Sequence, residues 1–394
     1  MKKNNLQIPI LFFILVYANQ GISGLPDQAI YYLTRETWLL SASNIGLISF
    51  ITAFAWYIKI LWGYLIDFCK IGKNSTRNYL YISYGLMISL YIFIIFFGLN
   101  IYTLIITGLL INCCIGLCDV ANDSQMVIYE QKYNLFGKLQ SIQWTALGFA
   151  GLLVALFGAK IADSFSFDIG YRVAYAFALI LPILTLCYLK FGYKEIQTSV
   201  KKRFDFKEIF QNFKNNKFVF ALLFILCLQL CPSFGTALMI KAREELMVSK
   251  MFLGYLSATG TVLGIIGYIL YYIKFHKVPM KKLLYFMVTF TAISNLFYLY
   301  IPNQWYLVGY NVIFGAFSGI TFLTLLAFFA KIVPIGNEGL FYAFITSISN
   351  LCGRGGNLLG GIIFDNYGYN TTVIVSTVLT FACLFFIPKL ALDK

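Results

Sequence analysis

The sequence predicts an all-α polytopic membrane protein with twelve transmembrane helices in two six-helix bundles. Apolar residues make up 60% of the chain, charged residues only 12%, and the mean hydropathy is +0.77. Soluble globular domains are much less apolar than this. Because a helix rises about 1.5 Å per residue, a run of about 20 apolar residues is long enough to cross a hydrocarbon core about 30 Å thick.

Twelve runs reach this length. They lie at about 8–34, 43–65, 78–98, 101–124, 138–160, 171–191, 217–239, 250–273, 283–301, 305–330, 338–362 and 371–390. The first run contains polar residues and has no small-residue cleavage site behind a short apolar core. We therefore read it as a retained helix and not as a signal peptide.

The basic residues predict the orientation. With the N-terminus inside, 22 of the 30 Lys and Arg residues fall in cytoplasmic segments. Since loops rich in Lys and Arg stay on the cytoplasmic side, both termini are predicted to be cytoplasmic, with the chain in the cell membrane. The net charge of +14 then reflects topology and contact with anionic lipid headgroups. No soluble basic domain is predicted, so we expect no nucleic-acid partner.

A polar, basic stretch separates the first six runs from the last six. It predicts an N-terminal bundle at 1–191, a cytoplasmic linker at 192–216 and a C-terminal bundle at 217–394. Two halves of six spans are typical of transporters whose substrate site lies near the membrane midplane. This layout also occurs in other polytopic proteins, so the function depends on individual residues.

Few ionisable residues lie inside the predicted spans, and each is a candidate for function: Asp27, Lys59, Asp119, Asp123 and Arg354. A charge in a span costs about 3 kcal/mol on insertion scales and usually faces a cavity, a partner or a transport path. Asp119 and Asp123 lie four residues apart, which places both carboxylates on one helix face. They fit a proton or cation site, and they equally fit solvated groups near the cytoplasmic interface.

Lys59 and Arg354 are the two basic residues inside predicted spans. Lys59 lies at a depth similar to that of Asp119 and Asp123, so it could pair with either carboxylate or extend toward the cytoplasm. Arg354 lies among glycines and stays protonated, so it requires an anion or backbone carbonyls nearby. The partner could be a carboxylate of the substrate, or it could be the backbone carbonyls of a neighbouring helix.

The first run contains a predicted break. Gly21, Gly24 and Pro26 precede Asp27 and can bend or interrupt the helix, which would expose backbone groups to a cavity. Gln20 adds an amide nearby; a kink that only shapes the outer mouth is the alternative. Trp56 and Trp144 are candidates for ring stacking or for packing. We expect no cofactor, because Cys113 and Cys114 lack His or carboxylate partners at the spacing of a metal site.

Five segments carry a family resemblance: QGISGLPDQAIYYL, WYIKILWGYLID, IGKNSTRNYL, DVANDSQMV and LQSIQW. Together they resemble the folate-biopterin transporters of the major facilitator superfamily, over about residues 20 to 144. Among the matching positions are Gln20, Asp27, Trp56, Lys59, Asp67, Arg77, Asp119, Asp123 and Trp144. The resemblance implies a cytoplasmic gate in which Asp67 and Arg77 pair by charge.

The resemblance also implies proton-coupled import of folate or a pterin by alternating access. Asp119 is then the expected coupling residue, and Lys59 and Arg354 are the expected ligands of a substrate anion. We expect the carrier to work as a monomer. A major facilitator carrier for another small polar metabolite, peptide or nucleotide is the alternative. A membrane-embedded serine protease is disfavoured, because the GISG segment has no partner histidine: the one histidine, His276, lies in a predicted cytoplasmic loop.

Overall fold

The computed structural model describes residues 4–133, 138–193, 216–332 and 338–390, and these contain helices and no strand. In the first part of the chain the helices are α1 (Asn4–Ile22), α2 (Asp27–Tyr32), α3 (Ala42–Thr52), α4 (Phe54–Tyr57), α5 (Lys59–Phe68), α6 (Ser75–Phe97), α7 (Ile101–Tyr133), α8 (Lys138–Leu153), α9 (Ala159–Ser164), α10 (Phe167–Ala178) and α11 (Ile180–Phe191). The later helices are α12 (Asn216–Gln229), α13 (Gly235–Glu244), α14 (Lys250–Ile273), α15 (Met280–Leu296), α16 (Gln304–Ile332) and α17 (Glu338–Ala382).

Eight helices of the described ranges are long and apolar enough to cross a membrane. One of them, Tyr342–Lys389, has 48 residues and contains Gly368 with a φ of 78°. Because glycine alone adopts this backbone conformation without strain, the helix changes direction there. The predicted runs 338–362 and 371–390 lie on either side of this glycine.

Three predicted runs are interrupted helices in the structure. The first is broken between α1 and α2, which confirms the break predicted from its glycines and proline. The run at 43–65 is broken at Ala53 and Ile58, and the run at 217–239 is broken at 230–234, around Pro232. The predicted runs therefore correspond to helices, but three of them are divided by residues that leave the helical conformation.

Contacts divide the chain into two compact units. The first contains Met1–Trp38 and Ile51–Phe204, and the second contains Leu39–Phe50 and Asp205–Lys394. The second unit thus includes a short segment, 39–50, from the first part of the sequence. The predicted linker at 192–216 lies almost wholly outside the described residues, so the predicted boundaries of the two bundles stay a prediction.

The core of the first unit is rich in tyrosine. Tyr32, Tyr84, Tyr91 and Tyr171 are among its fully buried large side chains. The ring of Tyr91, on α6, lies 5.0 Å from that of Tyr175, on α10. Around this core α6 packs against α7, α10 and α11, while α1 packs along α8. The packing brings faces of α1, α6 and α7 together.

In the second unit, segment 39–50 packs closely on α17. The Asp365 carboxylate accepts hydrogen bonds from the backbone amides of Ala42 at 3.1 Å and Ser43 at 2.8 Å, at the start of α3. A side chain on Gly361 would come within 2.6 Å of the Ala42 carbonyl oxygen. The first amides of a helix lack partners within the helix, so Asp365 caps α3 from a distant part of the sequence.

A glycine-lined crossing joins α14 to α16 in the same unit. The Cβ of an alanine at Gly267 would collide with the Ala316 carbonyl oxygen, whereas a Cβ at Gly264 would meet nothing within 4 Å. We expect Gly267→Ala to lower the free energy of unfolding by about 1–3 kcal/mol, because the helices must separate. Thermal unfolding of the purified protein, with Gly264→Ala as the matched control, measures this. Equal stability of the two variants would contradict the close crossing.

Candidate functional site

The interrupted second run places Lys59 opposite α7. Ile58 has a non-helical backbone (φ −110°, ψ 26°), and α5 begins at Lys59. The Trp62 indole nitrogen donates to the Ala55 carbonyl oxygen at 2.8 Å, so a carbonyl next to the break has a partner. On α7, Gly116 faces Trp62 and Ala55, and its missing side chain allows α7 to approach. The break therefore brings Lys59 within reach of α7.

Lys59 and Asp119 form a buried ion pair. The Lys59 ammonium lies 2.6 Å from a carboxylate oxygen of Asp119, and the side chains are 18% and 5% exposed. Lys59 also lies 5.2 Å from the centre of the Trp56 ring, whose indole nitrogen donates to Asn112 at 2.9 Å. A cation over the face of a tryptophan is stabilised further. Of the two carboxylates that the sequence placed at similar depth, Asp119 is the one that pairs with Lys59.

Asp123 lies one turn further along α7 and has a different partner. The Tyr17 hydroxyl, on α1, donates to its carboxylate at 3.0 Å. The Tyr17 ring lies edge-on to Trp144, with 6.3 Å between ring centres. The two carboxylates thus face two different helices, although they share one face of α7.

A small crevice lies beside the ion pair, between α1, α6 and α7. Its walls are formed by Val16, Asn19, Gln20, Tyr84, Met87, Ile115, Cys118 and Asp119. Side-chain oxygens of Asn19 and Gln20 are buried there without a hydrogen-bond partner. Such groups are rare in folded proteins, because an unpaired buried polar group costs about 1–3 kcal/mol. The crevice is therefore a candidate place for a ligand or a water.

The remaining predicted residues lie elsewhere in the described structure. Asp27 is exposed at the start of α2, and its charge lies near Tyr91 and Tyr175. Arg354, also exposed, donates to the Ser49 hydroxyl at 2.9 Å. Its neighbours Gly356 and Gly360 bring α17 against the backbone of 229–233.

The predicted gate is only partly described. The Arg77 guanidinium lies 5.9 Å from the centre of the Tyr81 ring. The side chain of Asp67 lies outside the part of the chain that the structure describes, so the predicted pairing of Asp67 with Arg77 stays a prediction. In that described part, no group of three or more metal-ligating side chains is placed to hold a metal ion.

Several buried or bonded polar residues were not singled out from the sequence. Tyr17 and Asn112 bond to predicted site residues, and Asn122 and Gln143 are fully buried amides without hydrogen-bond partners. Polar residues inside an apolar run were the available signal for the three amides. Nothing in the sequence distinguishes Tyr17 from the other tyrosines.

Comparison with known proteins identifies a sequence family. The model of the BT1 family matches residues 20–390 of the chain. A folate-biopterin transporter of Synechocystis is 25% identical over 87% of this chain and 72% of its own length. Folate transporter 1 of Plasmodium falciparum is 22% identical over 91% of this chain and 72% of its own length.

Solved structures share the fold. The chain resembles the nucleoside transporter NupG with a TM-score of 0.77 and 13% identity, covering 98% of this chain and 100% of the other. A D-xylose-proton symporter gives a TM-score of 0.71 and 18% identity, covering 97% and 96%. At these identities the likeness concerns the fold alone, which is the twelve-helix major facilitator fold that the sequence predicted.

Proposed function

The chain belongs to the BT1 family, and we propose that it carries folate or pterin-type solutes across the membrane by alternating access, with import coupled to protons. The family match and the fold make it a multi-pass membrane transporter and not a membrane-embedded enzyme. The names of the two relatives support a folate or pterin as cargo. We place the protein in the cell membrane, and the bias of basic residues supports an orientation with both termini in the cytoplasm.

The buried Lys59–Asp119 pair is the observation that carries this proposal. Two opposite charges held 2.6 Å apart stabilise each other only while Asp119 is ionised. Protonation of Asp119 removes its charge and frees the ammonium of Lys59. Lys59 can then bind an anionic or carbonyl oxygen of the substrate, so that the proton and the substrate load together.

The other predicted residues take supporting roles in the proposal. Asp123, bonded by Tyr17, is a second group able to hold a proton one turn from Asp119. Arg354 is an anion ligand that exchanges Ser49 for the substrate. Asp27, Gln20, Trp56 and Trp144 bind substrate or line its path, and Asp67 with Arg77 closes the cytoplasmic side.

The transport cycle has two global states in this proposal. Residues 1–191 rock against 217–394, and each state exposes the site to one side of the membrane. We propose that the protein does this as a monomer surrounded by lipid, whose anionic headgroups its basic loops contact.

Uptake of labelled folate and of labelled biopterin into cells that express the chain tests the proposal. Uptake is expected to be several-fold faster at about pH 5.5 than at about pH 7.5, because carboxylates gain protons as the pH falls. A protonophore is expected to remove this stimulation. Cells that carry the empty vector are the control. Absence of uptake of both compounds, with the protein present in the membrane, would refute the proposed cargo.

A further inference from the structure

We propose that the crevice between α1, α6 and α7 binds the N–H edge of the substrate's ring, and that Gln20 is a specificity-determining residue. This inference rests on the proposed function, since it names the part of a pteridine that the crevice selects. The ligand is one edge of a 2-amino-4-oxopteridine, where the N3–H and the 2-amino group lie side by side as hydrogen-bond donors.

The side-chain oxygen of Asn19 is the atom of its amide group that lacks a hydrogen-bond partner. Its amide nitrogen donates to the Leu15 carbonyl at 2.8 Å and to the Thr185 hydroxyl at 2.6 Å. A carbonyl can only accept, and the Thr185 hydroxyl uses its own hydrogen on the Leu181 carbonyl. These contacts fix the orientation of the amide and leave its oxygen buried without a partner, in a residue 5% exposed.

A second unpaired amide oxygen lies in the walls of the crevice. The Gln20 side-chain oxygen is also buried without a partner, and so is the Tyr84 hydroxyl, which can accept or donate. A ligand with adjacent donors would satisfy oxygens that the protein leaves without partners.

Apolar side chains complete the walls of the crevice. Val16, Met87 and Ile115 supply apolar surface around the polar atoms. Asn122 lies one turn beyond Cys118 and Asp119 on the same face of α7, is fully buried, and has neither amide atom paired. Unpaired amides thus continue along this face past the crevice. Apolar faces with a few placed polar groups are usual for small-molecule sites.

Competition between two pteridines tests this assignment. Labelled folate uptake by the full-length protein is inhibited with 2-amino-4-oxopteridine or with 2,4-dioxopteridine, in which a carbonyl replaces the 2-amino donor. We expect the amino compound to inhibit at a concentration at least about tenfold lower, because the carbonyl would face unpaired acceptors. Similar inhibition by both compounds would overturn the inference and leave the proposed function intact, whereas no uptake of folate or biopterin would refute both.

A variant locates the selectivity in the crevice. Gln20→Met keeps the length of the side chain and removes its oxygen, so the preference is expected to fall to about threefold or less. Gln28→Met is the matched control, because Gln28 also has a buried unpaired oxygen but does not line the crevice. If Gln20→Met does not transport, the unfolding temperature of the purified variant is measured with each pteridine. The difference between the two pteridines then gives the same comparison. Unchanged selectivity in Gln20→Met, or its loss in Gln28→Met, would overturn the role of the crevice.

Discussion

Replacing Asp119 with asparagine is expected to abolish proton-driven accumulation of substrate. Asparagine can neither bind nor release a proton in the physiological range, and it removes the charge that pairs with Lys59 2.6 Å away. Accumulation of labelled folate in cells should fall to simple equilibration across the membrane. The ratio of uptake at about pH 5.5 to uptake at about pH 7.5 should fall to about one.

Exchange of labelled for unlabelled substrate separates lost coupling from lost folding. Exchange requires no net proton movement, so Asp119→Asn is expected to retain it. Asp163→Asn is the control, because Asp163 is an exposed carboxylate at the end of α9. Accumulation by Asp119→Asn at the parental rate would exclude Asp119 as the coupling residue.

Replacing Lys59 with methionine is expected to lower the free energy of unfolding by about 3–5 kcal/mol. The reason is that the Asp119 carboxylate, only 5% exposed, would lose the cation with which it pairs. In the double variant Lys59→Met/Asp119→Asn no charge is left unpaired. We expect the free energy of unfolding of the double variant to lie within about 2 kcal/mol of the parental value, since neutral replacements of buried ion pairs are often tolerated.

The free energy of unfolding is measured in detergent for the parent, for Lys59→Met, for Asp119→Asn and for the double variant. This double-mutant cycle gives the coupling energy between the two residues. Glu245→Gln is the control: its partner Lys241 lies 3.4 Å away, but Glu245 is 59% exposed. Exposed pairs contribute at most about 1 kcal/mol, so that variant should change little. Parental stability of Lys59→Met would show that the pair contributes nothing to folding.

The sequence predicted that Lys59 could pair with an aspartate of α7, but not which one. A constant rise per residue placed Lys59, Asp119 and Asp123 at similar heights in their spans. Which carboxylate meets Lys59 depends on the break at Ile58, where the backbone leaves the helical conformation. Two contacts accompany that break: Gly116, which is far away in the sequence, and the local hydrogen bond from Trp62 to Ala55.

Hydrogen bonds of neutral residues were harder to predict still. Tyr17 is one of 28 tyrosines, and its contact with Asp123 joins residues 106 positions apart. Arg354 was recognised as an isolated charge, and the structure pairs it with Ser49 from segment 39–50. The apolar run at 43–65 contains no signal that its first residues, up to Phe50, belong to the second unit. The all-α polytopic class, by contrast, follows from composition and run length.

The cap that Asp365 places on α3 constrains how the protein is made. The amides of Ala42 and Ser43 leave the ribosome more than 300 residues before the carboxylate that binds them. Domains generally fold in the order of synthesis. Segment 39–50, however, lacks the helix on which it packs until α17 has been inserted. A fragment ending before α17 would leave the backbone amides of Ala42 and Ser43 without this carboxylate. Biogenesis of the N-terminal part is therefore completed by residues near the C-terminus.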